Sequence, residues 1–378
     1  MPLYLNEEQT QLLTSARSFI AESAPVAHRR KLRDSDDPSG FSRELWCRFA
    51  HMGFNGVLAH ESMGGLALGH VEAGIILEQI GRNLTPLPFL SSAVGAVTAL
   101  KAASPADIGR WVAGIVTGET VAALAIEETP RHQPMRISLK AERVEGGFRL
   151  TGQKCFVLHG HAADLLIVAA RTTAHADTSR GLSLFAVPAK AAGIDQQSER
   201  LADASLASRI SFEGVAVDAG ALIGELDGGW EVLRQVLAAV RTGASAELLG
   251  VGTAALDMTV NYLKTRRQFG RPIGSFQALQ HRVAHLYAEL EVARAAILKA
   301  QILLDVGDPA WEHAVPVAKA MTGMAVSLAV QEGVQLHGGV GMTDEYDIGL
   351  YMKRAQVLQQ TFGDADFHAG QLARMAGY

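Results

Sequence analysis

Hydrophobic periodicity changes twice along this chain, near Glu119 and again near Gly229, and these two changes restrict the fold more than any single motif. Before the first change, apolar residues recur at helical spacing. Asn6 followed by Gln9 has the pattern of a capping box and opens a helix with Leu12, Leu13, Ala16, Phe19 and Ile20 on one side. A second helix is expected over 41–51, with shorter ones over 71–79 and 93–100 on either side of the breaks at Pro86 and Pro88. Between the two changes, short runs rich in β-branched and aromatic residues predict strands over 121–126, 137–144, 148–158, 165–170, 182–188 and 209–212. Glu145, Gly146 and Gly147 supply a hairpin turn. No strand-helix-strand spacing and no GxGxxG fingerprint occurs, so the middle is expected to be a small antiparallel sheet or barrel rather than a dinucleotide fold.

After Gly229 the helical period returns. Val232, Val236, Val240 and Leu248 mark one long helix; Leu279, Val283, Leu286 and Leu290 mark a second after Phe276. Pro309 opens a third, and Pro316 either kinks it or marks its true start. Four roughly antiparallel helices would bury these stripes. The fold class is therefore α+β, with an N-terminal helical domain over 1–118, a middle antiparallel β domain over 119–226 and a C-terminal four-helix bundle over 227–378.

Composition narrows the function classes. A 378-residue chain with 48% hydrophobic and 19% charged residues has the balance of a globular protein. Its formal charge of −5 offers nucleic acid no attractive field, so an anionic ligand must meet local donors. Cys47 and Cys155 lie in unrelated segments and form no metal-ligand spacing. The start MPLYLNEEQTQLL has neither a basic n-region nor an apolar h-region, and no stretch approaches 18 consecutive uncharged apolar residues. A cytoplasmic protein without a membrane span is expected.

Two segments carry chemistry. In YLKTRRQFGRPIGSFQALQH (262–281), Arg266 follows Tyr262 by one helical turn, and Phe269 and Gly270 fall where the helix should end. An arginine beside free backbone N–H groups suits a pyrophosphate. In QLHGGVG (335–341), Gln335 offers donor and acceptor, while Gly338, Gly339 and Gly341 let the backbone approach a bulky ligand. Together these segments resemble the flavin-binding region of the acyl-CoA dehydrogenase family, whose helical, β, helical order matches almost the whole chain. The resemblance implies FAD as cofactor, with Arg266, Phe269, Gln277, Gln335, Gly338 and Gly339 contacting the flavin nucleotide across a subunit interface.

The same resemblance extends to the β domain. It carries over Ile126 and Glu127, in ALAIEETPRH, as backbone contacts near the flavin, and sets Phe156 of TGQKCFVLHG where the family has tryptophan. Leu158 replaces the usual threonine. Arg241 takes the place of an arginine near the CoA nucleotide, and Val240 occupies the position where some branches put their base.

Dehydrogenation of an acyl-CoA needs a carboxylate within reach of Cα. Registered from Arg354, Gly363 falls at the position of the family's catalytic glutamate. Asp364 and Asp366 are the nearest acids, and Asp364 is the expected base if this chain abstracts the proton itself. This combination resembles the small subunit of heteromeric bacterial enzymes such as pimeloyl-CoA dehydrogenase. The implied function is α,β-dehydrogenation of an acyl-CoA thioester in a heterodimer or heterotetramer with a homologous acyl-CoA dehydrogenase subunit, with electrons passing to an electron-transfer flavoprotein. The alternatives are a catalytically silent subunit that completes a partner's FAD site and a redox-inert acyl-CoA-binding protein.

Overall fold

Asn6 caps the first helix, α1 (Glu7–Ser23), as the capping box requires: its side chain accepts from the Gln9 N–H at 2.8 Å, and the Gln9 amide oxygen accepts from the Asn6 N–H at 3.0 Å. The structure, a computed structural model, describes residues 4–103 and 105–378. Next come α2 (Val26–Asp34), α3 (Arg43–His51, capped by Ser42) and α4 (His70–Arg82). α2 was not expected. It has no apolar stripe to announce it, and its buried residue is Arg29.

The helix expected over 93–100 starts earlier. A π-helical stretch over Leu90–Ala96 runs into α5 (Val97–Leu100). Ser92 anchors it, donating to the Ala122 carbonyl at 2.8 Å and accepting from the Ala122 N–H at 2.9 Å. α6 (Pro105–Thr117) is a further helix that periodicity did not single out.

The middle of the chain forms one eight-stranded sheet. Its strands are β1 (Ala122–Ala125), β2 (Lys140–Val144), β3 (Gly147–Leu158), β4 (Leu165–Arg171), β5 (Leu182–Pro188), β6 (Ile194–Arg200), β7 (Leu206–Asp218) and β8 (Leu222–Ile223). They lie in the order β6-β7-β3-β2-β4-β5-β8, with β1 paired to β4. Most neighbours are antiparallel, as expected, but β1–β4 and β2–β4 pair in parallel. β6 escapes a hydrophobic reading because IDQQSER is an edge strand with little burial. β7 extends well beyond 209–212, because Gly214, at φ +65°, reads as a turn but sits inside a continuous strand. The sheet core joins Leu150, Val168, Phe185, Ile210 and Phe212, and the Phe148 and Phe185 rings meet edge-on at 5.0 Å. Burying each of these large side chains stabilises the fold by about 1.5–3 kcal/mol.

The rest of the chain is helical: α7 (Gly229–Thr265), α8 (Gln277–Asp305), α9 (Trp311–His337), α10 (Ile348–Gln360) and α11 (Ala365–Met375). α7 to α10 are the four expected helices; α11 is a fifth, packed on α9. α9 starts at Trp311 with Pro316 inside it. By length and composition, the stretch Trp311–Met342 is apolar enough to cross a membrane, but 61% of its apolar window is buried inside the protein, as in a core helix.

Packing gathers these elements into two units. Met1–Lys31, His70–Thr85 and Arg241–Tyr378 form a helical unit; Leu32–Gly69 and Pro86–Val240 form the unit that holds the sheet. The helical first third of the sequence thus contributes to both. Within the helical unit, Arg354 on α10 donates from Nε to Glu247 on α7 at 3.0 Å, and Arg294 on α8 pairs with Glu78 on α4 at 2.7 Å. Within the sheet unit, Lys154 is fully buried and donates to Glu128 at 2.8 Å and to the Ile126 carbonyl at 3.1 Å.

Candidate active site

α7 ends at Thr265, and the chain then makes a two-strand hairpin, β9 (Arg267–Gln268) against β10 (Arg271–Pro272). Phe269 and Gly270 form its turn, with successive φ values of +54° and +79°. Two positive φ values give the type I′ geometry that matches strand twist, so these residues build a hairpin tip rather than a simple helix stop. Phe269 is 90% exposed and its ring meets Phe276 edge-on at 6.2 Å. The Ile273 N–H donates to the Arg266 carbonyl at 2.9 Å and closes the hairpin base.

Arg266, Gln335, Gly338 and Gly339 come together around one cavity of about 480 Å³, with Tyr262, Gln268, Ile273 and His337 completing much of its wall. Arg266 is exposed, and its guanidinium forms no ion pair among the described residues. Gln335 is exposed at the end of α9. A Cβ on Gly338 or Gly339 would meet nothing within 4 Å, so the backbone there faces open space. The result is an unneutralised cation, an amide and bare backbone around one hollow, which is the donor set a nucleotide diphosphate needs. Phe269 and Gln277 lie outside this lining, on the hairpin tip and at the exposed start of α8.

In the sheet unit, Ile126, Glu127 and Phe156 are also brought close. The Cys155 N–H donates to the Glu127 carbonyl at 2.8 Å, and Lys154 holds the Ile126 carbonyl. Burial pushes the Lys154 ammonium pKa down, while the Glu128 charge opposes that shift. Burial also raises the Glu128 carboxyl, but Lys154, Ser138 and the Leu139 N–H outweigh it and leave it lowered. The Glu127 carboxylate bonds His132. Phe156 stands in a bulge between Lys154 and Val157, with φ +51°. A bulge re-aims a side chain that regular alternation would have placed elsewhere. Leu158 is the last residue of β3.

The turn after α10 is held by three basic side chains. Lys319, fully buried on α9, donates to the carbonyls of Gln359 and Gly363 at 2.8 Å and of Leu358 at 3.2 Å. Arg241 donates from Nε to the Phe362 carbonyl at 3.2 Å, and the His368 Nε2 lies 3.2 Å from the same oxygen. Arg241 is 8% exposed and its guanidinium stacks over the Phe367 ring at 5.6 Å. Asp364 caps α11, its Oδ1 accepting from the Phe367 N–H at 2.8 Å; Asp366 follows in the first turn, exposed. Gly363 has φ +101°, a backbone state that strains any L side chain, whereas Phe362 at +58° is in the ordinary left-handed well.

Lys319 and His337 were not singled out in the sequence. The signal for Lys319 was present: one lysine inside VAKAMTGMAV, on the buried side of an alanine-rich helix, must find carbonyls or an acid. His337 was hidden as the middle residue of a glycine motif.

Known proteins match this arrangement from end to end. The acyl-CoA dehydrogenase N-terminal domain matches residues 6–119, the middle domain 125–215 and the C-terminal domain 227–377. Acyl-CoA dehydrogenase FadE12 of Mycobacterium tuberculosis is 29% identical over 358 residues, covering 93% of this chain and 91% of its own. The solved steroid acyl-CoA dehydrogenase Tcur3481-Tcur3483 is 30% identical, with a TM-score of 0.88 and 98% of both chains covered. The ChsE4-ChsE5 complex of M. tuberculosis is 26% identical, with a TM-score of 0.88 over 100% of both chains. Enzymes of this kind are FAD-containing oxidoreductases. With three consecutive domain matches and full-length relatives, this chain belongs to the acyl-CoA dehydrogenase family.

Proposed function

We propose that this chain is one subunit of a heteromeric acyl-CoA dehydrogenase, that it contributes Arg266, Gln335 and the Gly338-Gly339 backbone to an FAD site, and that a homologous partner supplies the base. The supporting observation is a contrast within the helical unit. The cavity around Arg266 is open and carries a cation with no ion pair among the described residues. The turn at 361–364 offers no free carboxylate at the expected position, because its backbone demands glycine at 363 and Asp364 caps a helix.

The donor set fits FAD. Arg266 would bind the diphosphate, Gln335 and the glycine backbone would fix its orientation, and the exposed Phe269 and Gln277 would reach nucleotide carried by a neighbouring subunit. Ile126, Glu127 and Phe156 would contact the flavin ring, with Lys154 holding the backbone of that segment in place. When bound, FAD accepts the hydride from Cβ of the acyl group. The chain's own part is to bind and orient; backbone donors near the thioester carbonyl would acidify Cα, and the proton leaves to the partner's carboxylate. An electron-transfer flavoprotein would be the acceptor that reoxidises the enzyme. We give Arg241 a positioning role at the 361–363 turn in place of contact with the CoA nucleotide, since its guanidinium already serves the Phe362 carbonyl and the Phe367 ring.

The silent-subunit reading is the second possibility, favoured by the same strained glycine and capping aspartate. Both readings predict that substituting the partner's carboxylate abolishes turnover while FAD retention still needs this chain; stoichiometric flavin reduction that survives the substitution would contradict both. Absence of FAD from the chain, alone and with a homologous subunit, after reconstitution would overturn both.

A further inference from the structure

The loop that follows Glu127 folds back onto its side chain. His132 bonds the Glu127 carboxylate through Nδ1, and the Gln133 N–H lies 3.4 Å from the other carboxylate oxygen. A carboxylate only accepts, so Nδ1 carries the proton and donates. The Thr129 hydroxyl donates to the Arg131 carbonyl at 2.6 Å, and the Cys155 thiol to the Thr129 carbonyl at 3.4 Å, which ties the loop to β3. The Glu127 and His132 side chains are 11% and 6% exposed, so the pair is largely removed from water. Such a pair has two charge states: no net charge with the imidazole protonated, one negative charge with it neutral. The flavin reading uses the Glu127 backbone and leaves this pair without a role.

The charge on Glu127 reaches its neighbours on β3. Burial lowers the Lys154 ammonium and raises the Cys155 thiol, and the Glu127 charge pushes both upward. The other charges there are paired, Lys154 with Glu128 at 2.8 Å and Arg209 of β7 with Glu199 of β6 at 2.9 Å. We propose that the Glu127–His132 pair tunes the flavin, taking one proton from solvent as the flavin accepts hydride, so that the two charge changes cancel. This rests on the assignment of Ile126, Glu127 and Phe156 to the flavin wall. The balance is complete: hydride leaving Cβ of the acyl group carries two electrons and adds one negative charge to the flavin, the Cα proton goes to the partner's carboxylate, and one solvent proton adds to the imidazole Nε2. Arg131 and Gln133, both exposed, flank His132 and put solvent close to the ring. Attraction between charges extends over several ångströms in a dry wall, so the pair acts without touching the flavin.

The test is the reduction potential of the flavin in the FAD-loaded complex of this chain with a homologous subunit, equilibrated against reference dyes from pH 6 to 9. Flavin bound against the partner's own β domain should not respond to the substitutions and serves as the internal reference. In the unaltered protein the potential should fall with pH more steeply than in His132→Gln, approaching two protons per two electrons rather than one. His132→Gln leaves a fixed negative charge, so at pH 6 its reduction equilibrium should be about 10-fold less favourable, equivalent to about 30 mV, and the difference should vanish by pH 9. Glu127→Gln removes that charge and should make reduction about 10-fold more favourable at pH 9, with a shallower pH dependence. Loosened packing would move both variants in one direction, whereas a charge effect gives opposite signs. A slope of one proton per two electrons throughout in the unaltered protein would overturn the inference without recourse to any variant, as would the same pH profile in all three proteins. If FAD itself does not bind, the assignment of the flavin wall fails instead, so the two failures are distinguishable.

Discussion

Lys319 is an amine with no solvent and three carbonyls around it. Burial, reinforced by the Arg241 charge and opposed by Asp364, pushes its pKa down to about 7 from 10.5. Between those values the unfolded chain binds a proton that the folded chain does not, so the lysine's contribution to stability grows as pH rises from about 7 toward 10.5 and is lost as pH falls through about 7. Relative to Lys319→Met, the protein should therefore gain stability across that window, by up to about 1.4 kcal/mol per pH unit. Urea unfolding of both proteins between pH 6.5 and 9 checks this; parallel curves would refute it. Near pH 9 the methionine variant should be the less stable, by about 2–4 kcal/mol, since the carbonyls lose their donor, and the difference should shrink as pH falls toward 7. Asp364 gives a second residue-level test. Asparagine caps a helix about as well as aspartate, so Asp364→Asn should leave the melting temperature and flavin reduction nearly unchanged, whereas Asp364→Ala should cost about 1 kcal/mol of stability. A loss of flavin reduction of about 10² or more in Asp364→Asn, with FAD retained, would instead make it the base.

At the scale of elements, the hairpin between α7 and α8 is the feature that a linear reading understated. The motif stood out through its resemblance to the family's pattern of aromatic, arginine, Phe-Gly and glutamine, but two-residue strands leave no periodic signature. The same limit hid β8. Polar exposure hid β6, and charge hid α2. Long helices, the capping box at Asn6 and the β2–β3 turn were legible, because their signals are local and repeated. The pairing of β1 with β4 was not, since register between distant strands is set by packing. Gly270 has φ +79° with open space around it, so Gly270→Ala should cost about 1–2 kcal/mol of hairpin stability through backbone strain alone. Arg266→Ala should leave folding intact and weaken FAD binding about 10- to 100-fold, as expected for losing a charge-assisted contact to phosphate. Titration of FAD into the two apoproteins measures the difference; equal affinity would remove Arg266 from the site.

At the scale of the molecule, the chain matches all three domains of its family, and the groups proposed to bind the nucleotide are exposed, where a neighbouring subunit could complete the site. What it lacks is a free acid at the end of α10. The turn explains why: a glutamate at 363 would be strained at φ +101°, and the position that tolerates a longer side chain is 362. Partnership is the central claim, and anaerobic titration with an acyl-CoA panel tests it most directly. The sample is the complex of this chain with a homologous acyl-CoA dehydrogenase subunit, prepared with the partner's catalytic carboxylate intact and with it replaced by the amide. The account predicts substrate-driven bleaching of oxidised flavin absorbance in the first preparation and none in the second, with equal FAD content in both. Bleaching that persists in the second preparation, or in this chain purified alone, would contradict it.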